Sequence, residues 1–296
     1  MKEAPEIRGL LIHVTHYDPS WCLRKDRETR FDLDAALEIV GAMAEARMNL
    51  LVVDCADGVA YRSHPELRRR YTVPMRELKA LADAAAALGI DVAPKLNFSK
   101  SGRNLHDMFM RPHWDPVSWL DKADEYWSVA GDLIDELVEV CRPKRFFHIG
   151  MDEDHYRSLE QYVDAIRILR AKVKRHGLRT VVWNDSCHFR KTMVAQAHAD
   201  KCRAAEDFLP QDVVHVLWDY ERAHPKIVRR VAGKGFEVWA APGANVASVR
   251  AWRRAILREG GNGLLMTAWI KCDRAHRARL AGMVRSLGPE YAGETA

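Results

Sequence analysis

Arg145-Phe146-Phe147-His148-Ile149-Gly150-Met151-Asp152-Glu153-Asp154 is the stretch from which the chain is best read. It opens as an apolar run of strand length, the pattern of a buried strand. It then passes abruptly to a glycine and three successive acids. A core strand has no reason to end in Asp-Glu-Asp unless that end faces solvent or a substrate. Three carboxylates so close repel one another, so at least one should hold its proton above the ordinary carboxylate range. A raised carboxyl pKa is what a general acid near neutral pH requires. Capping of the next helix is the other use such acids can have.

Outward from this stretch, apolar runs and helical periods alternate. The first strand is expected over 7–16, around Leu10-Leu11-Ile12-His13-Val14, and a helix over 31–48, with Leu33, Leu37, Val40 and Met43 at helical spacing. A strand over 49–54 ends at Asp54, before a turn at Asp57-Gly58. The helix over 74–89 has proline near its start and glycine just past its end. A strand over 90–98 precedes a long loop, 99–116, and a helix over 119–141. Beyond the strand at 145–150, residues 159–176 set Tyr162, Val163, Ile166, Leu169 and Val173 on one helical face. Strands over 179–183, 212–218, 236–240 and 263–269 follow, with helices through Ile227 and Val231, over 249–257 and over 274–287. Eight strands alternating with helices within 296 residues predict an α/β fold, a (β/α)8 TIM barrel forming a single domain over 1–296. A doubly wound open sheet is the runner-up, but no Gly-rich phosphate loop follows the first strand.

Hydrophobic residues make up 48% and charged residues 29%, an ordinary globular balance. The net charge of +5 is small and spread along the chain, so no nucleic-acid-binding stripe or module emerges. No window approaches the roughly 18 consecutive apolar residues of a membrane span, and Met1-Lys2-Glu3-Ala4-Pro5 carries no apolar signal segment. Six cysteines without a C-x-x-C pair imply reduced thiols and a cytoplasmic location. His13 and His16 are three apart and point to opposite faces of a strand. With His148, Asp152 and His155 they offer too little convergence for a metal site. The expectation is an enzyme without metal or cofactor, with neither nucleic acid nor membrane as partner. The sequence leaves open whether it forms a homo-oligomer.

In such a barrel the site lies at the C-terminal strand ends. Those ends carry His16, Asp54 and Asp57, Lys95 and Asn97, Asp152 and Glu153, Trp183 with Asn184 and Asp185, Trp218 with Asp219, Asn245, and Trp269 with Lys271. Carboxylates recur, and tryptophan ends three strands. Indole faces stack on the apolar face of a sugar while acids and amides take its hydroxyls, so the set points to a small carbohydrate.

His148-Ile149-Gly150-Met151-Asp152-Glu153 resembles the H-x-G-G-D-E motif of glycoside hydrolase family 20, the β-N-acetylhexosaminidases. Arg8-Gly9 looks like the family's Arg-Gly, whose arginine grips sugar hydroxyls. Asp57-Gly58, followed by Tyr61-Arg62-Ser63-His64-Pro65-Glu66-Leu67, is similar to the segment after its second strand. Trp183-Asn184-Asp185, Trp218 and Trp269 fall where the family places pocket tryptophans. The resemblance implies exo-acting, substrate-assisted retaining hydrolysis, an exception to the two-carboxylate scheme. Asp152 would orient and stabilise the substrate's acetamido group, and Glu153 would serve as general acid and base. Arg8, Asp57, His148, Trp183, Asp185, Trp218, Trp269 and Lys271 would bind the sugar.

Several positions depart from the family pattern. Met151 replaces the motif's second glycine, and Pro94-Lys95-Leu96-Asn97 stands where an acidic Pro-Glu is expected. Lys271 replaces an acid, and Ala240-Ala241-Pro242-Gly243 lacks the tyrosine that helps bind the acetamido carbonyl. Two lysines at one mouth suggest an anionic substrate, unless both pair with Asp54, Asp57 or Asp185 and simply balance the site's acids. The rivals are the same barrel acting on a sugar without the acetamido group, and a catalytically silent sugar-binding barrel.

Overall fold

A computed structural model describes residues 4–15, 28–99, 110, 123–188 and 192–293. Eight parallel strands close a barrel in chain order: β1 (Ile7–His13), β2 (Leu50–Asp54), β3 (Asp91–Lys95), β4 (Phe146–His148), β5 (Arg179–Asn184), β6 (Val214–Trp218), β7 (Glu237–Ala241) and β8 (Gly263–Lys271). The helices are α1 (Leu33–Glu45), α2 (Met75–Ala87), α3 (Ala123–Cys141), α4 (Leu159–Lys174), α5 (Met193–Ala205), α6 (Pro225–Gly233), α7 (Val246–Glu259) and α8 (Arg277–Ala292). This is the (β/α)8 barrel that the alternation predicts.

The strands read as unbroken apolar runs because both of their faces are buried. On β2, Leu50 and Val52 join the barrel interior, whereas Leu51 and Val53 join the layer between strands and helices. Local signals fix the helix ends. The Asp32 carboxylate accepts the Ala35 N–H at 2.8 Å at the start of α1. Ser158 and Gln161 form a reciprocal capping box on α4, and Gly260, in a left-handed conformation at φ 89°, ends α7.

Two expectations shift. No apolar period marks α5, because its buried face is His198, Ala199, Cys202 and Ala205, small or polar side chains that leave no hydrophobic stripe. The fourth strand stops at His148 rather than 150, since the backbone turns left-handed at Gly150. Cys55, Cys141, Cys187, Cys202 and Cys272 are buried free thiols. Among the described residues, no helix is long and apolar enough to cross a membrane. His16, Cys22 and His106 lie outside the described residues.

Candidate active site

At the C-terminal end of the barrel, one layer of inward side chains comes from four adjacent strands. His13, Asp54, Lys95 and His148 are register partners from β1 to β4, and all are buried. Lys95 Nζ donates to Asp54 Oδ2 at 2.5 Å, and His13 Nδ1 lies 3.4 Å from the same oxygen. Burial pushes the Asp54 carboxyl up, but the Lys95 ammonium and His13 hold it well below the usual carboxylate range. Burial and the Lys95 charge push the His148 imidazole far down, so it is neutral. Its Nδ1 accepts the Gly150 N–H at 3.0 Å, which leaves the proton on Nε2.

The chain then makes a tight turn that separates two adjacent acids. Gly150, Met151 and Glu153 have φ of 72°, 76° and 48°. Left-handed backbone at non-glycine residues costs on the order of 1–3 kcal/mol each and persists only where the surroundings over-determine it. Here the clamps are visible. Asn97 Oδ1 accepts the N–H groups of Met151 and Ser99, both at 3.1 Å, and its Nδ2 donates to Asp152 Oδ1 at 2.6 Å. From the other side, Asp185 Oδ2 accepts the Glu153 N–H at 2.8 Å. A Cβ at Gly150 would lie 2.1 Å from Asn97 Oδ1, so glycine is required there. Met151 adopts a glycine-like conformation with its side chain buried, so the departure from the motif leaves the turn intact.

The three acids end in different surroundings. Asp152 is buried against Asn97, and Glu153 is half-buried on the wall of a cleft of about 880 Å³. Asp154 is consumed by ions: Arg157 Nη1 donates to its Oδ2, and Lys201 Nζ lies 3.3 Å from its Oδ1. The raised carboxyl is found at Asp185. Burial, and then the neighbouring Asp152, push it up to about 7, although it accepts N–H bonds from Glu153 and from Trp218 Nε1, the latter at 2.8 Å.

The other half of the mouth is aromatic. Trp183, Trp218 and Trp269 all pack on the interior cluster rather than in the outer layer. The Trp183 ring lies 4.7 Å from His148 and 6.2 Å from Trp269. Trp269 Nε1 donates to the Tyr220 hydroxyl at 2.5 Å, and Tyr220 sits 5.7 Å from Trp218. Tyr220 escapes the sequence reading because it follows the sixth strand in a charged loop and looks like surface. The signal for it is spatial. Gly243, at φ 73°, approaches the Tyr220 ring so closely that a Cβ would lie 2.9 Å from Cδ1. Two buried donors, His148 Nε2 and Trp183 Nε1, have no hydrogen-bond partner among the described residues. Orphaned donors in a mouth are what a ligand acceptor would satisfy.

Three expected sugar ligands are engaged elsewhere. Arg8 is the second residue of β1, about 16 Å of strand from its C-terminal end. Its guanidinium donates to the carbonyls of Pro5, Glu6 and Arg47, on the opposite face from the carboxylates, so Arg8 is corrected to a structural residue. Asp57 is buried in the loop after β2, where its Oδ2 accepts from the Tyr71 hydroxyl at 2.6 Å. Lys271 is buried and paired, 3.0 Å from Glu28 Oε1 and 3.6 Å from Asp273 Oδ2. With Lys95 bound to Asp54, neither lysine presents the positive mouth that the sequence suggests, and that expectation is withdrawn. Asn184, Asp219 and Asn245 bond to backbone N–H groups at turns or caps. Among the described residues, no three His, Cys, Asp or Glu gather as a metal site.

The barrel is similar to a family 20 β-N-acetylhexosaminidase from Streptomyces coelicolor A3(2), with TM-score 0.65 and 16% identity over 97% of this chain and 65% of that one. The resemblance to family 20 extends to the fold. A mutant β-hexosaminidase of Streptomyces plicatus in complex with GlcNAc gives TM-score 0.67 and 14% identity, over 98% of this chain and 64% of that one. A family 20 exo-β-N-acetylglucosaminidase from Vibrio harveyi, in complex with N-acetylglucosamine, gives 0.60 and 13%, over 95% and 54%. The chain therefore spans less than two thirds of the length of these enzymes. At such identities the likeness is one of fold. No protein-family model and no curated protein matches the sequence.

Proposed function

We propose that this barrel is an exo-acting glycoside hydrolase of the family 20 kind, removing a 2-acetamido sugar by substrate-assisted, retaining chemistry. One observation carries the reading. Asp152 and Glu153 are neighbours in sequence, yet the clamped left-handed turn gives one a buried seat and the other a cleft wall. Two adjacent acids can thereby serve two different substrate atoms.

In this scheme the acetamido oxygen attacks the anomeric carbon as the bond to the leaving oxygen breaks. Asp152 steadies the acetamido N–H as positive charge grows on that group. An ionised carboxylate has acceptor capacity beyond the one contact that Asn97 uses. Glu153 gives its proton to the leaving oxygen, then takes one from the water that opens the cyclic intermediate. Trp183 and Trp269 supply apolar walls, and Tyr220, whose ring lies against Gly243 after strand seven, adds a hydroxyl beside Trp269. The paired states of Lys95 and Lys271 favour a neutral sugar over an anionic one. Five buried free thiols support a reducing, cytoplasmic setting.

The test is turnover of an aryl N-acetyl-β-glucosaminide by wild type and Glu153→Gln. The variant is expected to lose about 10²–10⁴-fold in rate while still binding the sugar. Unchanged turnover would remove Glu153 from its role.

A further inference from the structure

The general acid must face the leaving group, because its proton goes to the leaving oxygen. Glu153 lines the cleft of about 880 Å³ that opens outward between the turn after β4 and helix α5. With Glu153 as the acid, that cleft would face the leaving group, and its volume is that of a site for a drug-sized molecule. Its lining therefore reports what the sugar is attached to.

The cleft's charged and hydrogen-bonding groups are largely engaged within the protein. Arg157 donates to Asp154 and to the Phe98 carbonyl, and Lys201 contacts Asp154 and the Arg157 carbonyl. Both Asp185 oxygens accept N–H bonds, His188 Nε2 bonds the Trp218 carbonyl at 2.8 Å, and Thr192 caps α5 through the Ala195 N–H. The His155 and His198 rings lie 4.2 Å apart, tilted by 42°, and burial, with His155, pushes the His198 imidazole down to about 4, so it is neutral at ordinary pH. Val194, Ala195, Ala197 and the Tyr156 and Trp218 rings add apolar surface to the wall. Val194, His198 and Lys201 follow helical spacing along one face of α5. Val194 and Tyr156, both 55% exposed, flank the opening, and the neighbouring Met193 is 92% exposed. Large apolar side chains left in water beside a cleft are the mark of a surface that a ligand covers.

Resting on the hydrolase reading above, we infer that this cleft is a leaving-group site for an uncharged aglycone with an extended apolar face, of aryl or alkyl type. A further sugar would need a donor or acceptor for each hydroxyl, and Arg157, Lys201, Asp185 and Thr192 already bond within the protein. An anionic aglycone would need a cation, and both of the cleft's cations serve Asp154.

The experiment compares phenyl and 2-naphthyl N-acetyl-β-glucosaminides, whose leaving groups are of similar acidity, with the disaccharide of two N-acetylglucosamines. Wild type should favour naphthyl over phenyl about tenfold in kcat/KM, chiefly through KM, and the disaccharide should be the poorest of the three. Val194→Asp, at an exposed position, should abolish the naphthyl advantage, whereas Val194→Leu should keep it. Equal rates for naphthyl and phenyl, or preference for the disaccharide, would overturn the assignment. Binding of the unreactive methyl and 2-naphthyl 1-thioglycosides separates the two claims. If no glycoside is hydrolysed, a naphthyl binding preference that Val194→Asp removes keeps the apolar site and discards the hydrolase. Equal binding of both thioglycosides rejects the site whatever the activity.

Discussion

Across β1 to β4 the barrel mouth is charged and paired with itself; beyond β4 it is aromatic. In the first half, His13, Asp54, Lys95 and His148 form a sealed layer in which every charge has an opposite charge beside it. In the second, Trp183, Trp218 and Trp269 turn indoles toward the same interior, and Tyr220 joins them. Asp152 and Glu153 stand at the seam. The difference teaches that charge at a strand end does not by itself indicate a charged substrate. A buried ion is retained only when paired, so the charged half serves the scaffold and the turn, which leaves the aromatic half for the proposed recognition of a sugar.

Breaking the charged half should have the largest effect. Lys95→Met leaves Asp54 fully buried beside a methionine, which should cost about 3–5 kcal/mol in denaturant unfolding. Adding Asp54→Leu should recover most of that loss. A single variant as stable as wild type would show that the pair is not what seals the layer.

The seam should respond to pH. Asp185 is held up to about 7, so the folded protein keeps this proton where the unfolded chain has released it. Its stabilising contribution is complete below about pH 4 and is lost as pH rises through about 7, a change on the order of 4 kcal/mol. Thermal unfolding across that window should fall less steeply in Asp185→Asn. Because the amide also alters the acceptor for the Glu153 N–H, the slope with pH, rather than the absolute stability, is the quantity to compare. An identical slope in wild type and variant would place the raised carboxyl elsewhere.

The aromatic half should show the smallest change in stability but a clear one in binding. Trp269→Ala removes an indole from the mouth together with its bond to Tyr220. Intrinsic fluorescence titration with N-acetylglucosamine should report binding weakened about tenfold, with the barrel still folded. Undiminished affinity would mean that sugar stacking lies elsewhere.

Much of the fold could be read in advance because parallel barrel strands bury both faces and read as apolar runs. Helix α5 could not, since Ala199, Cys202 and Ala205 bury no large side chain. The acid pair and the three tryptophans were legible because they occupy strand ends. Pairing of Lys95 with Asp54 is one of the alternatives the sequence offers, and it is the one found. The partner of Lys271 is Glu28, 243 residues away, which no strand-end reading suggests. Arg8 was misplaced for a directional reason: it begins its strand, and only strand ends reach the mouth. Asn97 stood out only as a departure from a family pattern, whereas in space it clamps both Met151 and Asp152.

The central claim is that Asp152 acts on the substrate's acetamido group. It is tested most directly by comparing kcat/KM for matched aryl 2-acetamido and 2-hydroxyl β-glucosides in wild type and Asp152→Asn. Wild type should favour the acetamido substrate by at least about 10²-fold, the scale of one preorganised group stabilising developing charge. Asp152→Asn should erase that preference by slowing the acetamido substrate alone. Equal rates on both sugars in wild type, or an equal loss on both in the variant, would contradict substrate assistance and leave Asp152 as part of the turn.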